Sequence, residues 1–459
     1  MSTLSPTDRA ADALRGLCGG DVHLPGDPGY DAARIPWNVS VDLRPAAVAV
    51  PRSAQDVVDV VRAARRAGLR VAPMSTGHAA APLAGRVEDA VLLRLHGLTG
   101  VSIDAERRVA RVLGGTIWQD VVEAAAPHGL AALHGSSPDV AVTGYTLGGG
   151  LSWFGRSHGL ACHHVVAIEV VTSDGVLRRV DATHDEDLFW ALRGGGGGFG
   201  VVTAIEVALL AVADVHAGLM LWPGQMASEV THAWARWTRR LPVTVTSSLR
   251  LLSFPAMPEL PPFLSGRQVV VMDAVLQEDD HSARLLLQPL RDLAPEMDTF
   301  GRVPADSLTR LHMDPEGPTP SAGGHVLVDS LPPAAVDAFV AAAGPGSGTS
   351  LLAAELRHLG GALGRSPRGA GALGHLRGEY AAFFVGIAAT PEMGAEAAAD
   401  ASRAVAALEP WSRGRVFPNF AEEGTLLPHA HRRRDWARLR KVAASVDPDG
   451  LLVANHPVR

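Results

Sequence analysis

Several stretches of this sequence combine residue types and spacings that could do chemistry. Ser75-Thr76-Gly77-His78 gathers two hydroxyls, a glycine and an imidazole at one turn. A glycine there lets backbone N–H groups approach an anionic group closely, with no lysine or helix end required. The imidazole reads either as a reactive ring or as a turn histidine bonded to backbone. A second Gly-rich stretch, Gly135-Ser136-Ser137-Pro138 through Gly144 and Tyr145 to Gly148-Gly149-Gly150, would let backbone approach a flat ligand. Glu355 and Arg357 stand two residues apart and so share one face of a strand. A carboxylate on an inward face is expensive without a task or a partner, so Glu355 is either a proton acceptor or half of an ordinary ion pair. The run Gly194 to Gly198 fits GxGxxG at Gly195, Gly197 and Gly200. His163 and His164 are adjacent, would face opposite sides of a strand and cannot chelate one metal, so no metal site is expected.

These residues need elements to position them. Val57, Val60, Val61 and Ala64 recur at helical spacing, with Ser53 as N-cap and Gly68 as stop. Leu69 to Met74 follows as a strand, which puts Gly77 and His78 at a strand end. Short strands are expected at 90–95, 100–104 and 108–112, a helix at 118–128, and strands at 165–172 and 176–180. A helix over DEDLFWALRG enters the glycine run and a strand from Val201 to Leu210 leaves it. A dinucleotide-binding motif needs strand before glycines and helix after, so the reversed order rejects that reading. Beyond residue 211, strands at 243–252, 268–276, 325–329, 350–358 and 380–388 alternate with helices near 225–240, 281–293, 332–343 and 394–408. Half-buried apolar patterns of this kind suit an antiparallel sheet covered on one face by helices. A last helix is expected over 433–445. The fold class is therefore α+β with two domains: residues 1–210 as the first part of one, 211–416 as a second, and 417–459 returning to the first.

Composition narrows the function classes. Over 459 residues, 47% are hydrophobic and 19% charged, enough apolar material for large cores. A net charge of -7 lacks the basic footprint of a nucleic-acid binder. The dense basic run His431-Arg432-Arg433-Arg434 reads as a solvated helix start. No apolar run reaches the roughly 20 residues of a membrane span. The N-terminal stretch carries charges where a signal peptide needs apolar residues, so a cytoplasmic protein is expected. Two cysteines, Cys18 and Cys162, are too few for a disulfide framework and read as buried small hydrophobes. A single lysine, Lys441, amid abundant Arg, Ala, Gly and Pro suggests a GC-rich bacterial genome.

The motifs, in this order, resemble those of the berberine-bridge-enzyme-like FAD-linked oxidases of the vanillyl-alcohol-oxidase superfamily. STGH resembles the family's pyrophosphate loop, GSSPDVAVTGYTLGGG its second flavin loop, DLFWALRGGGGGFGVVT its third signature and RLRKVAASVDPDGLLVANHPV its closing segment. The resemblance spans nearly the whole chain and implies a PCMH-type FAD-binding fold with an antiparallel substrate domain. It implies FAD bonded to His78, with Ser75, Thr76, Gly77, Gly135, Ser136, Ser137, Val140, Gly144, Tyr145, Gly148, Gly149, Gly200, Val202, Asn419 and Asn455 around the cofactor. Ser137 stands before Pro138 where many relatives carry a second, cysteinyl attachment, so attachment through His78 alone is expected. Met74 stands where relatives often have Arg, and Tyr145 where doubly attached members often have His; the Tyr145 hydroxyl could donate to the flavin. Val140 goes with dioxygen access in the family, or simply packs. Glu355 takes the role of base, with Arg357 beside it and Tyr145 completing the catalytic set. Phe417-Pro418-Asn419 resembles a Tyr-any-Asn segment, with phenylalanine in the tyrosine's place.

The implied activity is oxidation of an alcohol or activated C–H of a small molecule, with dioxygen as acceptor. An oxygenase or dehydrogenase on the same scaffold, or a non-catalytic flavoprotein, are the alternatives. Few aromatic residues favour a hydrophobic secondary metabolite over a sugar. Neither nucleic acid nor membrane is expected as a partner, and the chain is expected to act as a monomer or homodimer.

Overall fold

Three sheets organise the computed structural model, which describes residues 10–258 and 264–458. The first joins Val22–His23 to β1 (Ala47–Ala49), β2 (Arg70–Met74) and β3 (Ala90–Arg94), with β1 and β2 both parallel to β3 between them. Helix α1 (Ala54–Ala67) makes the crossover from β1 to β2. Ser53 and Asp56 form a reciprocal capping box at its start, and Gly68 closes it in the left-handed conformation at φ 71°. The predicted cap, stop and following strand therefore all stand where the sequence put them.

The second sheet is antiparallel and comprises β4 (Val101–Asp104), β5 (Val109–Leu113), β6 (Val165–Val171), β7 (Leu177–Asp181) and β8 (Val201–Ala208). Helix α2 (Trp118–Ala125) packs beside it and ends through a 3₁₀ turn at Gly129. Helix α3 (Val142–Leu147) follows the second Gly-rich stretch, and α4 (Glu186–Leu192) runs into the glycine run ahead of β8. Helix before strand is thus confirmed there, and Gly195 and Gly200 are required by packing. A side chain at Gly195 would strike the Ala191 carbonyl and Leu439, and one at Gly200 would lie 2.4 Å from Val170.

The third sheet lies in the middle of the chain. Its order is Met297–Asp298, β9 (Asp214–Pro223), β11 (Gln268–Leu276), β10 (Val245–Ser253), β13 (Leu351–His358), β14 (Tyr380–Ile387) and β12 (Ser321–Val328). Gly301–Pro304 also pairs with β9. All these pairings are antiparallel. Helices α5 (Ala227–Thr238), α6 (Asp280–Arg291), α7 (Pro333–Ala343) and α8 (Pro391–Leu408) bury their apolar sides against one face, in a core with Val245, Leu249, Met272, Ala274, Ala354 and Leu356. Strand periodicity then sends Ser248, Arg250, Asp273, Glu355 and Arg357 to the opposite face.

The end of the chain returns to the first two sheets: α9 (Arg433–Val446) seats Leu439 in the α4 core, and Leu452 bridges to Val71. The basic run before α9 is only partly solvated. Arg433 and Arg434 are exposed, but His431 is buried against the Ala372 carbonyl. His163 and His164 occupy a 3₁₀ turn instead of a strand and bond separately to the Leu373 and His158 carbonyls. Among the described residues there is no group of three or more metal-ligating side chains and no helix long and apolar enough to cross a membrane. Cys18 and Cys162 are free and buried, as their composition suggested. Residues 1–9 of the N-terminal stretch lie outside the described residues.

Candidate active site

The turn after β2 is tied down on three sides. Ser75 Oγ donates to the Gly114 carbonyl at 3.0 Å, which also accepts from Thr143 Oγ1 at 2.7 Å, so the turn is held against α3. Gly77 has φ 92°, and a Cβ there would lie 2.7 Å from Pro36, so both conformation and space require glycine. The Thr76 carbonyl accepts from the Trp37 N–H. Among the described residues, the N–H groups of Gly77 and His78 donate to no protein acceptor, which leaves them for an anion.

His78 is held in a fixed pose. Its ring stacks on Trp37 at 4.0 Å, and Nε2 lies 3.4 Å from both the carbonyl and Oδ1 of Asp139. Asp139 also accepts from Trp37 Nε1 at 2.6 Å, Gly317 N at 2.9 Å and Ser137 Oγ at 2.9 Å. Burial opposes its charge, but the bonds from His78, Gly317 and Trp37 prevail and hold the carboxyl well below the usual range. With Nε2 engaged by Asp139, Nδ1 is the ring nitrogen left without a partner among the described residues.

The second Gly-rich stretch corrects the reason given for its glycines. Gly148 and Gly149 are crowded by the chain itself: a Cβ on Gly148 would meet Asn419 at 2.7 Å, and one on Gly149 would meet Leu373 at 2.8 Å and Phe417 at 3.1 Å. Gly135 packs on the Tyr145 ring in the same way. Open space lies instead beside Gly144, an exposed residue in α3 with nothing within 4 Å of its missing Cβ. Gly196 and Gly197 also face open space, although Gly196 is buried. A buried glycine whose missing side chain would touch nothing marks room for a flat group. With the free N–H groups at Gly77 and His78, this cradle fits FAD.

Five other residues expected at the cofactor make contacts within the chain. The Tyr145 hydroxyl donates to the Leu133 carbonyl at 3.0 Å inside the core, so its one proton is engaged within the chain instead of being offered to a flavin. Asn419 donates to the Tyr145 carbonyl at 3.0 Å and accepts from Gly150 N at 3.2 Å, bracing the end of α3. Val202 is buried in the core, and Val140 packs partly buried on the same cluster. Asn455 lies beside the turn, with its amide 3.5 Å from the Ala79 carbonyl.

The polar face of the third sheet holds a buried charge chain. Arg357 Nε donates to Glu355 Oε1 at 2.5 Å, and His312 bridges Glu355 at 3.3 Å to Asp273 at 2.8 Å. Arg250 completes it, donating to Asp273 Oδ2 at 2.7 Å and to the His312 carbonyl. Burial disfavours the charge on Glu355, but Arg357 and then His312 outweigh it, so the carboxyl is held well below its ordinary range and is ionised. Burial and Arg250 oppose the charge on His312, yet Asp273, Asp314 and Glu355 win and raise it to about 9. The face closes on a cavity of about 20 Å³ beside Ser136, Trp153, Thr246, Ser248 and Arg357, where Thr246 Oγ1 has no partner among the described residues.

Sequence reasoning found Glu355 and Arg357 but missed His312, Asp273, Arg250 and Asp314. A lone aspartate inside the apolar run VVVMDAVL was the one readable signal. Because the His312 pKa is raised above its unfolded value of about 6.5, its contribution to stability is complete below that pH and is lost as pH rises through about 9. Chemical denaturation of wild type should therefore show stability falling over this window, and His312→Gln should flatten that decline.

Residues 136–139 connect the two halves. Ser136 Oγ accepts from Arg357 Nη2 at 3.2 Å and donates to Asp314 at 3.0 Å, while Ser137 and Asp139 engage the His78 side. Residues 45–181 match a family model described as an FAD binding domain. This chain contains an FAD binding domain. Its fold across the whole length is the PCMH-type FAD-binding fold: berberine-bridge-enzyme-like 1 of the moss Physcomitrella patens superposes with a TM-score of 0.84 at 17% identity over 99% of both chains. A structure concerned with the 6-S-cysteinyl, 8α-N1-histidyl FAD of glucooligosaccharide oxidase from Acremonium strictum superposes with a TM-score of 0.80 at 22% identity, over 96% of this chain and 97% of that one. In sequence, an FAD-dependent monooxygenase of Fusarium proliferatum is 34% identical over 217 residues, 47% of this chain and 42% of that protein. The alignments thus span less than half the length of such curated relatives.

Proposed function

We propose that this chain is an FAD-linked oxidase that removes a hydride from an alcohol or activated C–H of a small molecule and passes the electrons to dioxygen. The observation that carries the reading is the 136–139 stretch, which touches His78 at one end and the Arg357–Glu355 pair at the other. In this reading residues 1–210 and 417–459 bind the cofactor and residues 211–416 bind the substrate, so the reacting carbon sits between them. FAD, held by the N–H groups of Gly77 and His78, would supply the hydride acceptor and the route by which dioxygen is reduced to hydrogen peroxide.

The protein's own residues do the rest. Glu355 accepts the proton that leaves as hydride departs, and its bonds to Arg357 and His312 fix where its carboxylate stands. Ser136, Ser248 and Thr246 present hydroxyls at the cavity, which suits a substrate whose reacting end is small and bears a hydroxyl or amine. His78 carries the cofactor through Nδ1, and Ser137, committed to Asp139, forms no second bond. Val140 leaves a path for dioxygen to the cofactor. A hydrophobic secondary metabolite with such a polar reacting end remains the substrate class we assign.

Dioxygen as acceptor can be tested without knowing the substrate. Protein reduced with dithionite and mixed with air-saturated buffer is expected to regain its yellow colour within seconds, releasing one hydrogen peroxide per active site. Reoxidation over many minutes would make the chain a dehydrogenase instead. In turnover with a substrate, a separate measurement, peroxide falling short of substrate consumed with oxygen appearing in the product would make it an oxygenase.

A further inference from the structure

A cleft of about 560 Å³ opens between α4, the loop over residues 366–377 that links β13 to β14, and the start of α9. None of the residues assigned above to cofactor or proton transfer lines it. Its size is that of a small-molecule site. Its lining is cationic: Arg193, Arg377, Arg432, Arg434 and Arg438 face it, together with His375 and His431, against only Glu186 and Asp435.

The arginines differ in what they already bind. Arg438 is paired with Asp187 and lies over Trp190, and Arg434 is 3.4 Å from Asp435. Arg193 is only 9% exposed, yet among the described residues it has no carboxylate partner. It stacks on Phe189 and donates to the carbonyls of Phe189 and Gly369 alone. A buried guanidinium without a counter-charge is costly unless a ligand supplies one. The guanidinium groups of Arg377 and Arg432 likewise have no ion-pair or hydrogen-bond partner among the described residues. Burial, then the neighbouring charges of Arg415 and Arg432, lower the Arg377 guanidinium against the pull of Asp435, so positive charge predominates around it. All this occurs on a chain of net charge -7, so the charge is local to the cleft.

We propose that this cleft binds a small organic polyanion bearing two or more phosphate or carboxylate groups, held between Arg193 on the floor and Arg377 and Arg432 on the rim. The concave shape selects a small molecule over an extended polyelectrolyte, and the planar guanidinium forks suit bidentate contact with either group.

The test uses FAD-loaded protein, so that a pyrophosphate probe cannot enter the cofactor's own place. Calorimetric titrations with pyrophosphate and with citrate, at fixed ionic strength, are expected to give saturable one-to-one binding by at least one of them, with a rise in melting temperature. Which anion binds tells phosphate from carboxylate recognition. In Arg377→Gln/Arg432→Gln the affinity should fall about a hundredfold, because each lost charged contact is worth on the order of a factor of ten. The flavin spectrum should not change. Both side chains are partly exposed and unpaired, so the variant is expected to fold; the single substitutions, each with a partial loss, provide the check if the double variant melts early. No saturable binding of either anion to wild type, or equal binding to wild type and the variants, would overturn the proposal.

Discussion

Glu355→Gln is expected to slow reduction of the protein by its substrate about 100- to 10,000-fold, the range over which a positioned general base contributes. Reoxidation of the dithionite-reduced variant by dioxygen should proceed at the wild-type rate, since Glu355 is assigned only to proton removal from substrate. The split between the half-reactions is the decisive readout. A structural ion pair at this position would alter both or neither. The substitution also removes the carboxylate bonded to Arg357 and leaves His312 with Asp273 and Asp314. Breaking a buried pair from one side costs about 3–5 kcal/mol, so the variant should also melt earlier than wild type. Glu355→Asp separates the two effects. It keeps the charge but withdraws the carboxylate by one methylene, and should recover much of the stability while recovering only part of the rate. Equal reduction rates in wild type and Glu355→Gln would remove Glu355 from the mechanism.

The pair Glu355/Arg357 was legible because a strand alternates its faces, and a charge repeated at a spacing of two announces a common side. Asp273 and His312 were not. Each is chemically ordinary in its own stretch, and their meeting depends on register: Ser248 lies opposite both Asp273 and Arg357, and Arg250 lies opposite Glu355, so three strands lay their charges side by side. His312 comes from outside those strands, a placement no local pattern contains. Strand β9 escaped for a different reason. From Val215 to Trp222 every residue is buried, because one face meets the helices and the other meets the rest of the chain, and an apolar run without alternation lacks the half-buried signature used for its neighbours. The glycines show a third limit. Their positions were evident, but what each one faces was not: Gly148 and Gly149 make room for Asn419, Leu373 and Phe417, while Gly144, which looked no different in sequence, faces open space. Tyr145 failed as a donor for the same reason, since its hydroxyl turns inward to Leu133.

The helix cap and the stop at Gly68 depend on neighbours within a few residues, and these the sequence specified well; the glycine of the turn at 77 was legible as a turn residue, although Pro36, Trp37 and Gly114 are what hold it. That local certainty gives His78 its weight. His78→Ala is expected to change cofactor retention from complete to none under denaturing acid. Wild-type protein precipitated with acid should keep its yellow colour in the pellet, whereas the variant should release all of it to the supernatant. In native buffer the variant should still bind FAD, because the free N–H groups at the turn and the open space beside Gly144 and Gly196 do not depend on the imidazole. The ring's geometry supports the bond to Nδ1: stacking on Trp37 fixes its plane, and Asp139 occupies the Nε2 side. Asp139→Ala should therefore weaken attachment without abolishing it, giving a pellet with only part of the flavin, because the ring then loses the partner that orients it and sets which nitrogen is free. A wild-type pellet that bleaches completely would show that the cofactor is held by the cradle alone. Colour retained in His78→Ala would move the bond to another residue, and Ser137, which stands where many relatives resembling this chain place a cysteine, cannot supply a thiolate.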